Sequence, residues 1–426
     1  MGAEVSIQAL IDAANAVGGG NVTLPAGTYT CDNVGGALSI KMKDNVRLRA
    51  ANLGDVTIML ADSQNAHLIN FDDCENAHVE NLIINHNRDN QNTAVQTHAV
   101  RGSGMADCSI INCTIQNAVW YGIGLQEDTI ARVIIDDIDI YNAGGDGIDI
   151  KNKNDDNVGN SITRVRIHSF AVDGAASQQA AIDVRGPTSI ASCTVEGIGT
   201  GHNGVRFRQG ELLDNNGLGA HGSIVTGTTC SGSSGNGFYI AARSCTVRNC
   251  TATGVAVGVN ITETTALVED TDVSGATADG VLIQTVGGRL GDDAIIRRVT
   301  AGAAGIRNAG QDRARVEQCD VTGGAIEIET GANNCTVVGD LSMTVTNSGT
   351  ATVTYDGTDA ELTAELVGAG FTPIAATLGA DTAQQIMAVA RFAHRAGTGT
   401  MYYEITPASS LSTVAAPMAA AYNALR

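Results

Sequence analysis

Aromatic residues, proline and basic charge are all scarce in this sequence. Of its 426 residues, 4% are aromatic and 5 are proline, whereas 51 are glycine, and the formal net charge at pH 7 is −20. An acidic surface of this kind suits neither non-specific nucleic-acid binding nor docking on anionic membranes. A globular domain of this length normally uses more aromatic rings in its core. The composition therefore favours a repetitive core of small and branched side chains.

Two further absences concern export and cross-linking. No apolar run is long enough for a transmembrane helix, and the first residues, Met-Gly-Ala-Glu-Val-Ser, lack the basic and apolar regions of a signal peptide. With Met1 as the natural start, we expect synthesis in a cytoplasm without Sec export. The 10 cysteines include no C-x-x-C pair, so zinc is not expected. Cys113, Cys193 and Cys245 each begin a Cys-Thr-Ile or Cys-Thr-Val strand, where cysteine acts as a small buried hydrophobe.

What the sequence does contain is a repeat. A short pattern of glycine or alanine, an apolar residue, any residue and a second apolar residue recurs along most of the chain. Its copies begin at Ala99, Gly122, Gly147, Ala181, Gly204, Gly237, Gly258, Gly280, Gly305 and Ala325. Most spacings lie near 23 residues, about one coil of a triangular parallel β-helix. Strand alternation would point the apolar residues inward and the residue between them outward.

The N-terminus predicts how such a solenoid is closed. Ser6 can cap a helix that ends at Gly18-Gly-Gly and presents one apolar face, formed by Ile7, Leu10, Ile11, Ala14 and Val17. The strand Leu24-Pro-Ala-Gly-Thr-Tyr29 follows. A helix, a glycine stop and this strand resemble the start of pectate-lyase-like β-helix proteins. That superfamily includes polysaccharide lyases, polygalacturonase-type hydrolases and bacteriophage tailspikes, and among these the chain is most similar to tailspike or fibre proteins.

The resemblance implies an all-β fold, a right-handed parallel β-helix plugged by an N-terminal capping helix. We predict that residues 1–30 form the cap helix and first strand and that residues 31–340 form the β-helix. Beyond residue 340 the pattern changes, and segment 382–396 has the periodicity of an amphipathic helix. Residues 341–426 are therefore predicted to form a small α+β domain that covers the end of the solenoid or mediates self-association.

The outward residues of the repeat predict a charged stripe. In coil order they are Arg101, Gly124, Asp149, Asp183, Arg206, Tyr239, Asn260, Leu282, Arg307 and Glu327. Adjacent coils lie about 4.8 Å apart, so Asp149 and Asp183 should be direct neighbours, followed by Arg206. The next outward position gives Gln126, Lys151, Arg185 and Arg208. Charges of both signs are thus concentrated on four consecutive coils.

Two long spacings in the repeat lie beside this stripe. They correspond to insertions at 152–160 and 209–222, which we expect to rise from one face and wall a groove with Asp183 and Arg185 on its floor. The second insertion contributes Glu211. Trp120 and Tyr121 enter the preceding coil, where an aromatic ring could stack on a sugar.

We interpret the stripe as a polysaccharide site. Two carboxylates about 5 Å apart suit a retaining glycosidase and a wider gap suits an inverting one, and their repulsion would raise one pKa. Asp146 adds an i, i+3 partner to Asp149. The predicted catalytic residues are Asp149, Asp183 and Asp146, and the predicted substrate-binding residues are Arg185, Arg206, Arg208, Lys151, Tyr239, Trp120, Tyr121 and Glu211.

Other interpretations of the stripe stay open. A lyase would use arginine or lysine as its base and neutralise a uronate, in some cases with Ca²⁺ held by aspartates. No other cofactor is expected. Alternatively, aspartate beside arginine is a simple ion pair on a solvated face.

Three functions follow from these interpretations. The first is a virion-associated tailspike or fibre, made in the host cytoplasm, that binds host surface polysaccharide and is able to cleave it. Its partners would be other virion proteins, and it would be a homotrimer with one long apolar or small-residue face. The second is a free extracellular polysaccharide lyase or glycoside hydrolase. The third is a non-enzymatic structural decoration of the virion.

Overall fold

Two long parallel sheets dominate the structure. The computed structural model describes residues 3–32, 38–126, 128–151, 159–172, 179–209, 219–286, 291–339, 344–349 and 351–355. The first sheet has 13 strands, all paired in parallel. In chain order they are Leu38–Lys41, His67–Asn70, Val100–Gly102, Ile123–Leu125, Ile148–Lys151, Ala180–Arg185, Asn203–Arg208, Asn236–Ala241, Val257–Ile261, Asp279–Ile283, Ile306–Asn308, Ile326–Ile328 and Val345–Asn347. We call this the 13-strand sheet.

The remaining strands complete each coil. The 22-strand sheet comprises Gly20–Thr23, Gly27–Cys31, Val46–Arg49, Val56–Leu60, His78–Glu80, Leu82–Asn85, Ser109–Gln116, Ile134–Tyr141, Asn160–Thr163, Arg166–Ile167, Thr188–Ala191, Thr194–Ile198, Ile224–Thr226, Thr229–Gly232, Thr246–Arg248, Thr251–Thr253, Leu267–Glu269, Asp272–Gly275, Ile295–Arg297, Arg315–Glu317, Cys335–Gly339 and Ala351–Tyr355. A small third sheet pairs Met105–Ala106 with Ile130–Ala131. Short 3₁₀ turns lie at Arg88–Asn90 and Gly302–Ala304.

The 22-strand sheet consists of two ladders that share two long strands, Ser109–Gln116 and Ile134–Tyr141. A typical coil therefore carries three strands, one in each of these two ladders and one in the 13-strand sheet. Their inward side chains form one continuous core of isoleucine, valine, leucine, alanine and cysteine, in which Phe71, Phe207 and Phe238 are the largest fully buried rings. The predicted right-handed parallel β-helix is confirmed, together with its N-terminal helix.

Tight corners join the strands, and they explain the buried cysteines. At many corners a non-glycine residue, often asparagine, adopts a positive φ, such as Asn112 at 49° and Asn249 at 51°. Eight of the ten cysteines directly follow such a residue. Their thiols donate to the carbonyl two residues earlier, as from Cys113 to Ile111 at 3.3 Å. The sequence Asn-Cys-Thr, which begins at Asn112, Asn249 and Asn334, therefore recurs because it forms these corners.

The N-terminal helix, Ala3–Ala16, closes one end of the core. Ile7 and Ile11 are fully buried, and Gln8 exchanges two hydrogen bonds of 2.8 and 3.0 Å with the backbone of Lys41. Ser6 lies inside this helix, so the prediction that it caps the N-terminus was wrong. The predicted apolar face is also narrower, because Leu10 and Val17 are exposed. Of the described residues, none belongs to a helix with the length and apolarity that crossing a membrane requires.

Two strands beyond residue 340 continue the solenoid. Val345–Asn347 pairs with Ile326–Ile328, and Ala351–Tyr355 pairs with Cys335–Gly339, both in parallel. The rest of the predicted C-terminal α+β domain, from residue 356 onward, lies outside the described residues. The division at residue 340 stays a prediction.

Candidate functional site

The predicted stripe lies in register on the 13-strand sheet. Asp149 pairs with Asp183, Asp183 with Arg206, and Arg206 with Tyr239, each on a neighbouring strand. Lys151 pairs with Arg185 in the same way. Parallel pairing without a register shift stacks equivalent positions, so the order of charges read from the repeat is the order in space.

The aspartates of this stripe are not solvated, contrary to the alternative interpretation as a surface ion pair. The side chains of Asp149 and Asp183 are 0% exposed, and Asp146 and Arg206 are also buried. One carboxylate oxygen from each of Asp146, Asp149 and Asp183 lies within 4.8 Å of the others. Three carboxylates removed from water and crowded together cost far more free energy than a surface ion pair. The alternative interpretation of the stripe, a simple ion pair on a solvated face, therefore does not fit this arrangement.

Arginines neutralise Asp183. Arg206 approaches it through two hydrogen bonds of 2.9 and 2.8 Å, and Arg208 through two of 3.2 and 2.8 Å. Arg185 adds a contact of 3.4 Å and is itself buried, so it serves Asp183 and does not present its charge to solvent. Burial acts to lower the pKa of Arg206, but attraction to Asp183 outweighs it and the pKa is raised. Arg206 therefore stays charged and does not suit the role of a base.

Asp149 has a different environment. Its Oδ2 accepts a hydrogen bond from Gln126 at 2.7 Å and lies 3.3 Å from the ammonium of Lys151, while its buried Oδ1 has no partner among the described residues. Burial, followed by repulsion from Asp183, raises the pKa of Asp149 to about 7. A carboxyl group that keeps its proton near neutral pH can serve as a general acid.

Asp146 completes the cluster from the preceding corner. Its Oδ1 accepts the backbone N–H of Ala180 at 2.6 Å. Burial, with repulsion from Asp183 and Asp149, raises the pKa of Asp146 well above its usual range. The predicted i, i+3 relation with Asp149 thus places both groups in the same cluster.

Tyr121 does not present a ring to a sugar. The ring is buried and stacks on His98, with centroids 4.8 Å apart and planes 13° apart. Lys151 lies over the ring at 5.6 Å from its centroid. Burial, with repulsion from Asp149 and Asp146, raises the pKa of Tyr121, so its hydroxyl stays protonated. The stacking role predicted for Tyr121 is therefore not available, although the residue borders the carboxylates.

The other predicted binding residues separate into two groups. Trp120 and Tyr239 are partly exposed, and the side chains of Lys151 and Arg208 are 23% and 30% exposed. Of these four, Lys151 and Arg208 contact the buried carboxylates of Asp149 and Asp183. Glu211 and most of both insertions lie outside the described residues, so the predicted groove walls stay a prediction.

His98 was missed by the sequence reasoning. It precedes its strand by two positions and is almost fully buried, with an unpartnered Nδ1 among the described residues. A Cβ at Gly124 would lie 2.8 Å from the Cδ2 of His98. The signal was Gly124, which lies between the charged positions Arg101 and Asp149 and leaves room for a ring from the neighbouring coil.

The three aspartates do not fit a calcium ion. Calcium takes six to eight oxygen ligands. Both oxygens of Asp183 already accept hydrogen bonds from Arg206 and Arg208, whose positive charges oppose a cation. The donor set therefore favours proton chemistry at this cluster.

Known proteins resemble the chain in part. No protein-family model matches it. The mannuronan C5-epimerase AlgE4 of Azotobacter vinelandii is 32% identical over 155 residues, which cover 33% of this chain and 28% of the epimerase. The chain thus matches less than a third of that relative's length.

Comparison of folds extends over more of the chain. The A-module of the same epimerase superposes with a TM-score of 0.54 at 18% identity, covering 83% of this chain and 96% of the module. The A-module of A. vinelandii AlgE6 gives 0.51 at 16% identity, covering 83% and 95%. These likenesses establish a shared β-helix fold.

A bacteriophage protein also superposes, less closely. The tailspike of E. coli bacteriophage HK620 gives a TM-score of 0.47 at 15% identity, covering 82% of this chain and 63% of the tailspike. A similarity of this size carries no argument about a virion.

Proposed function

We propose that the chain binds an acidic polysaccharide along the outer face of the 13-strand sheet and cleaves it, with Asp149 as the general acid. The observation that carries the proposal is the environment of Asp149. This carboxyl group is fully buried, has an unpartnered oxygen, and has a pKa raised to about 7 beside the arginine-bound Asp183. General acids of glycosidases have this combination of burial and a neighbouring carboxylate.

The charges at the surface support an acidic substrate. Two of the partly exposed groups that contact the carboxylates, Lys151 and Arg208, are cationic. A uronate carboxylate that engages Arg208 would draw this side chain away from Asp183 and free one acceptor position on each oxygen of Asp183, while Arg206 stays bound. Arg208 would thus couple substrate binding to the exposure of the second carboxylate. The similarity to mannuronan epimerases, which are named for a uronate polymer, agrees with this class of substrate.

The geometry favours hydrolysis over elimination. Carboxylate oxygens within 4.8 Å of one another match the short separation of retaining glycosidases more closely than the wide separation of inverting ones. A lyase with an arginine base is less well supported, because the pKa of Arg206 is raised.

A second candidate is proton transfer at a uronate carbon without chain cleavage. The observation in its favour is the 32% identity to mannuronan C5-epimerases. In that reaction a deprotonated group of the cluster would remove the proton from the ring carbon, Asp149 would deliver a proton to the opposite face of that carbon, and the cationic side chains would neutralise the uronate.

One experiment separates these chemistries. Purified protein is incubated with polymannuronate and, separately, polygalacturonate, and the products are followed in three ways. New reducing ends without ultraviolet absorbance indicate hydrolysis. Absorbance of an unsaturated uronate indicates elimination, and changed proton NMR signals of the uronate ring at constant chain length indicate epimerisation. Absence of all three on acidic polymers would contradict the proposal.

We further propose that the protein acts as a homotrimeric virion spike on host surface polysaccharide. In support, eight consecutive coils of the 22-strand sheet carry an uncharged residue at the same outward position. These residues are Ser109, Ile134, Ser161, Ser189, Ile224, Thr246, Leu267 and Ile295. Ile134 and Ile224 are 45% and 44% exposed. This is the long small-residue or apolar face expected of a trimer. Light scattering tests it, since a monomer at micromolar concentration would contradict the trimer.

A further inference from the structure

Lys151 contacts the buried carboxylate of Asp149 and is itself partly exposed to solvent. Its ammonium nitrogen lies 3.3 Å from Oδ2 of Asp149 and 5.6 Å from the centroid of the buried Tyr121 ring, and its side chain is 23% exposed. An ammonium group has three N–H donors, and the contact with Asp149 requires one of them. A second anion that arrives from solvent can therefore bind the same ammonium.

Asp149 does not depend on Lys151 alone. Its Oδ2 also accepts a hydrogen bond of 2.7 Å from Nε2 of Gln126, so this oxygen keeps a neutral donor when the ammonium turns toward another anion. Its buried Oδ1 has no partner among the described residues. Because Oδ2 already faces a donor and a cation, a proton on Asp149 resides on Oδ1.

Three acidic side chains face Asp149. Asp146 comes from the preceding corner, Asp183 from the next coil and Tyr121 from the coil before. Burial and the nearby carboxylates raise the pKa of Asp146 and of Tyr121, so both favour their neutral forms. Asp183 carries the negative charge of the cluster among its arginines. Its charge opposes ionisation of Asp149.

The cations around the cluster act in the opposite direction. Burial, and then repulsion from the neighbouring carboxylate, raises the pKa of Asp149 to about 7, while attraction to Lys151 and to Arg208 lowers it. Arg185 and Arg206 are buried, whereas Lys151 and Arg208 are partly exposed. An anion from solvent that binds the exposed pair weakens their attraction to Asp149 and makes this residue easier to protonate.

We propose that a uronate carboxylate of the substrate binds the ammonium of Lys151 in place of Asp149, so that binding of an acidic polymer is coupled to uptake of a proton on Oδ1 of Asp149. The proton comes from solvent, and the negative charge of the uronate replaces that of Asp149 beside the lysine. This inference rests on the proposed function and deepens it, because it makes Lys151 a specificity-determining residue. A neutral sugar leaves the protonation of Asp149 unchanged, whereas an acidic sugar meets a general acid that holds its proton.

Proton uptake can be measured without catalytic turnover. Sodium glucuronate is titrated into the full chain at pH 7.5 in HEPES and in Tris, whose ionisation enthalpies differ, and the difference in binding heat gives the number of protons taken up. Glucuronate carries the carboxylate but has no glycosidic bond to cleave, and glucose is the matched neutral control. We expect uptake of about 0.5 proton per site, since a rise of about one pH unit in the pKa of Asp149 from about 7 gives this value.

Variants assign the proton to its group. Asp149→Asn should bind glucuronate without proton uptake, and Lys151→Arg should retain the uptake, because a guanidinium also neutralises a carboxylate. Arg307→Gln is the matched control and should leave the uptake unchanged, because Arg307 has the equivalent outward position on a distant coil and is bound by Asp279 at 2.8 Å. Absence of glucuronate binding, equal uptake with glucose, or uptake that survives in Asp149→Asn would overturn the proposal.

The pH dependence of turnover provides the second test. With oligomannuronates, the alkaline limb of kcat should lie about one pH unit above that of kcat/KM, because kcat reports the complex and kcat/KM the free protein. Lys151→Met should raise KM about tenfold and bring the two limbs together. Limbs that coincide in the wild type would contradict the coupling. If the wild type turned over no oligouronate, the proposed function would fail, whereas proton uptake with glucuronate would still decide the coupling.

Discussion

Two buried carboxylates in different sheets of the same solenoid have opposite acidities. Asp149 on the 13-strand sheet is 0% exposed, and Glu269 on the 22-strand sheet is 2% exposed. Burial raises the pKa of Asp149, and repulsion from Asp183 adds to it. Burial would also raise the pKa of Glu269, yet hydrogen bonds from Arg297 and Arg248 outweigh it and the pKa is lowered.

The difference comes from the neighbouring coils. Glu269 pairs in register with Arg248 on one side and Arg297 on the other, so opposite charges alternate along that column. Asp149 pairs with Gly124 and Asp183, so a carboxylate meets a carboxylate. Alternating charges stabilise a solenoid, and stacked like charges destabilise it. A fold that keeps the unfavourable stack is most simply explained by function.

The largest expected effect is on activity. We expect Asp149→Asn to lower kcat by about 10²–10⁴ on whichever acidic polymer the wild type converts, because the amide cannot donate the required proton. Glu269→Gln, at equal burial, should leave kcat unchanged. Steady-state rates of the two variants make the comparison. If Asp149→Asn kept wild-type kcat, the contrast between the two carboxylates would have no functional meaning.

The next effect is on the pH dependence of stability. The folded pKa of Asp149 is about 7 and its ordinary value is 3.8, so its contribution to stability is fully present below pH 3.8 and is lost as the pH rises toward 7. The loss is on the order of 3 kcal/mol of unfolding free energy. The contribution of Glu269 to stability changes with pH in the opposite direction. Because the pKa of Glu269 is lowered, this residue stabilises the fold at pH values above its ordinary pKa. Urea unfolding from pH 4 to 7 should show a larger loss in the wild type than in Asp149→Asn, in which the raised pKa of Asp146 still contributes a loss of the same sign. A loss of equal size in that variant would assign the effect to other groups.

Glu269 should matter for stability at neutral pH. Glu269→Gln removes the shared partner of Arg248, Arg297 and Arg298. These arginines are more than a third exposed, so water compensates them in part and the expected cost is about 1–2 kcal/mol. Arg313→Gln, which breaks an exposed pair with Asp293, is the control and should lower the urea midpoint less than Glu269→Gln does. Equal urea midpoints for both variants would argue against a structural role of the Glu269 column.

The smallest effect is expected at a corner cysteine. Cys193 and Thr228 have equivalent positions on adjacent coils, and each donates to the carbonyl two residues earlier, at 3.4 and 3.2 Å. Cys193→Thr should therefore change the unfolding free energy by less than about 1 kcal/mol and leave kcat unchanged. A loss above about 3 kcal/mol, measured by urea unfolding, would show that these corners require sulfur.

The fold and the register were predictable because they depend on periodicity. A repeat near 23 residues with inward apolar positions leaves few alternatives to a parallel solenoid, and its phase placed Asp149, Asp183 and Arg206 on consecutive strands. The cap helix was predicted as well. Its start was not, because Ser6 is a favourable cap residue that lies inside the helix.

The environment of the site was less predictable. Alternation distinguishes inward from outward positions, but it does not report whether neighbouring side chains cover an outward residue. Asp183 is buried because three arginines converge on it, and those contacts depend on side-chain conformations. His98 precedes its strand, and His67 begins a strand for which the four-residue pattern has no copy, so the repeat gave no reason to associate either with Asp149.

The parallel register also has an evolutionary consequence. Because Asp149 and Asp183 lie on adjacent coils, the gap between them is a whole number of coil rises, each about 5 Å. Duplication of a single coil between them would move them one step further apart while both kept their own corners and core contacts. One such step would change the separation of the two carboxylates from about 5 Å, as in retaining hydrolases, to about 10 Å, near the upper end for inverting hydrolases. In such a solenoid, the stereochemical outcome of the reaction could change through the gain or loss of one repeat, without replacement of any catalytic residue.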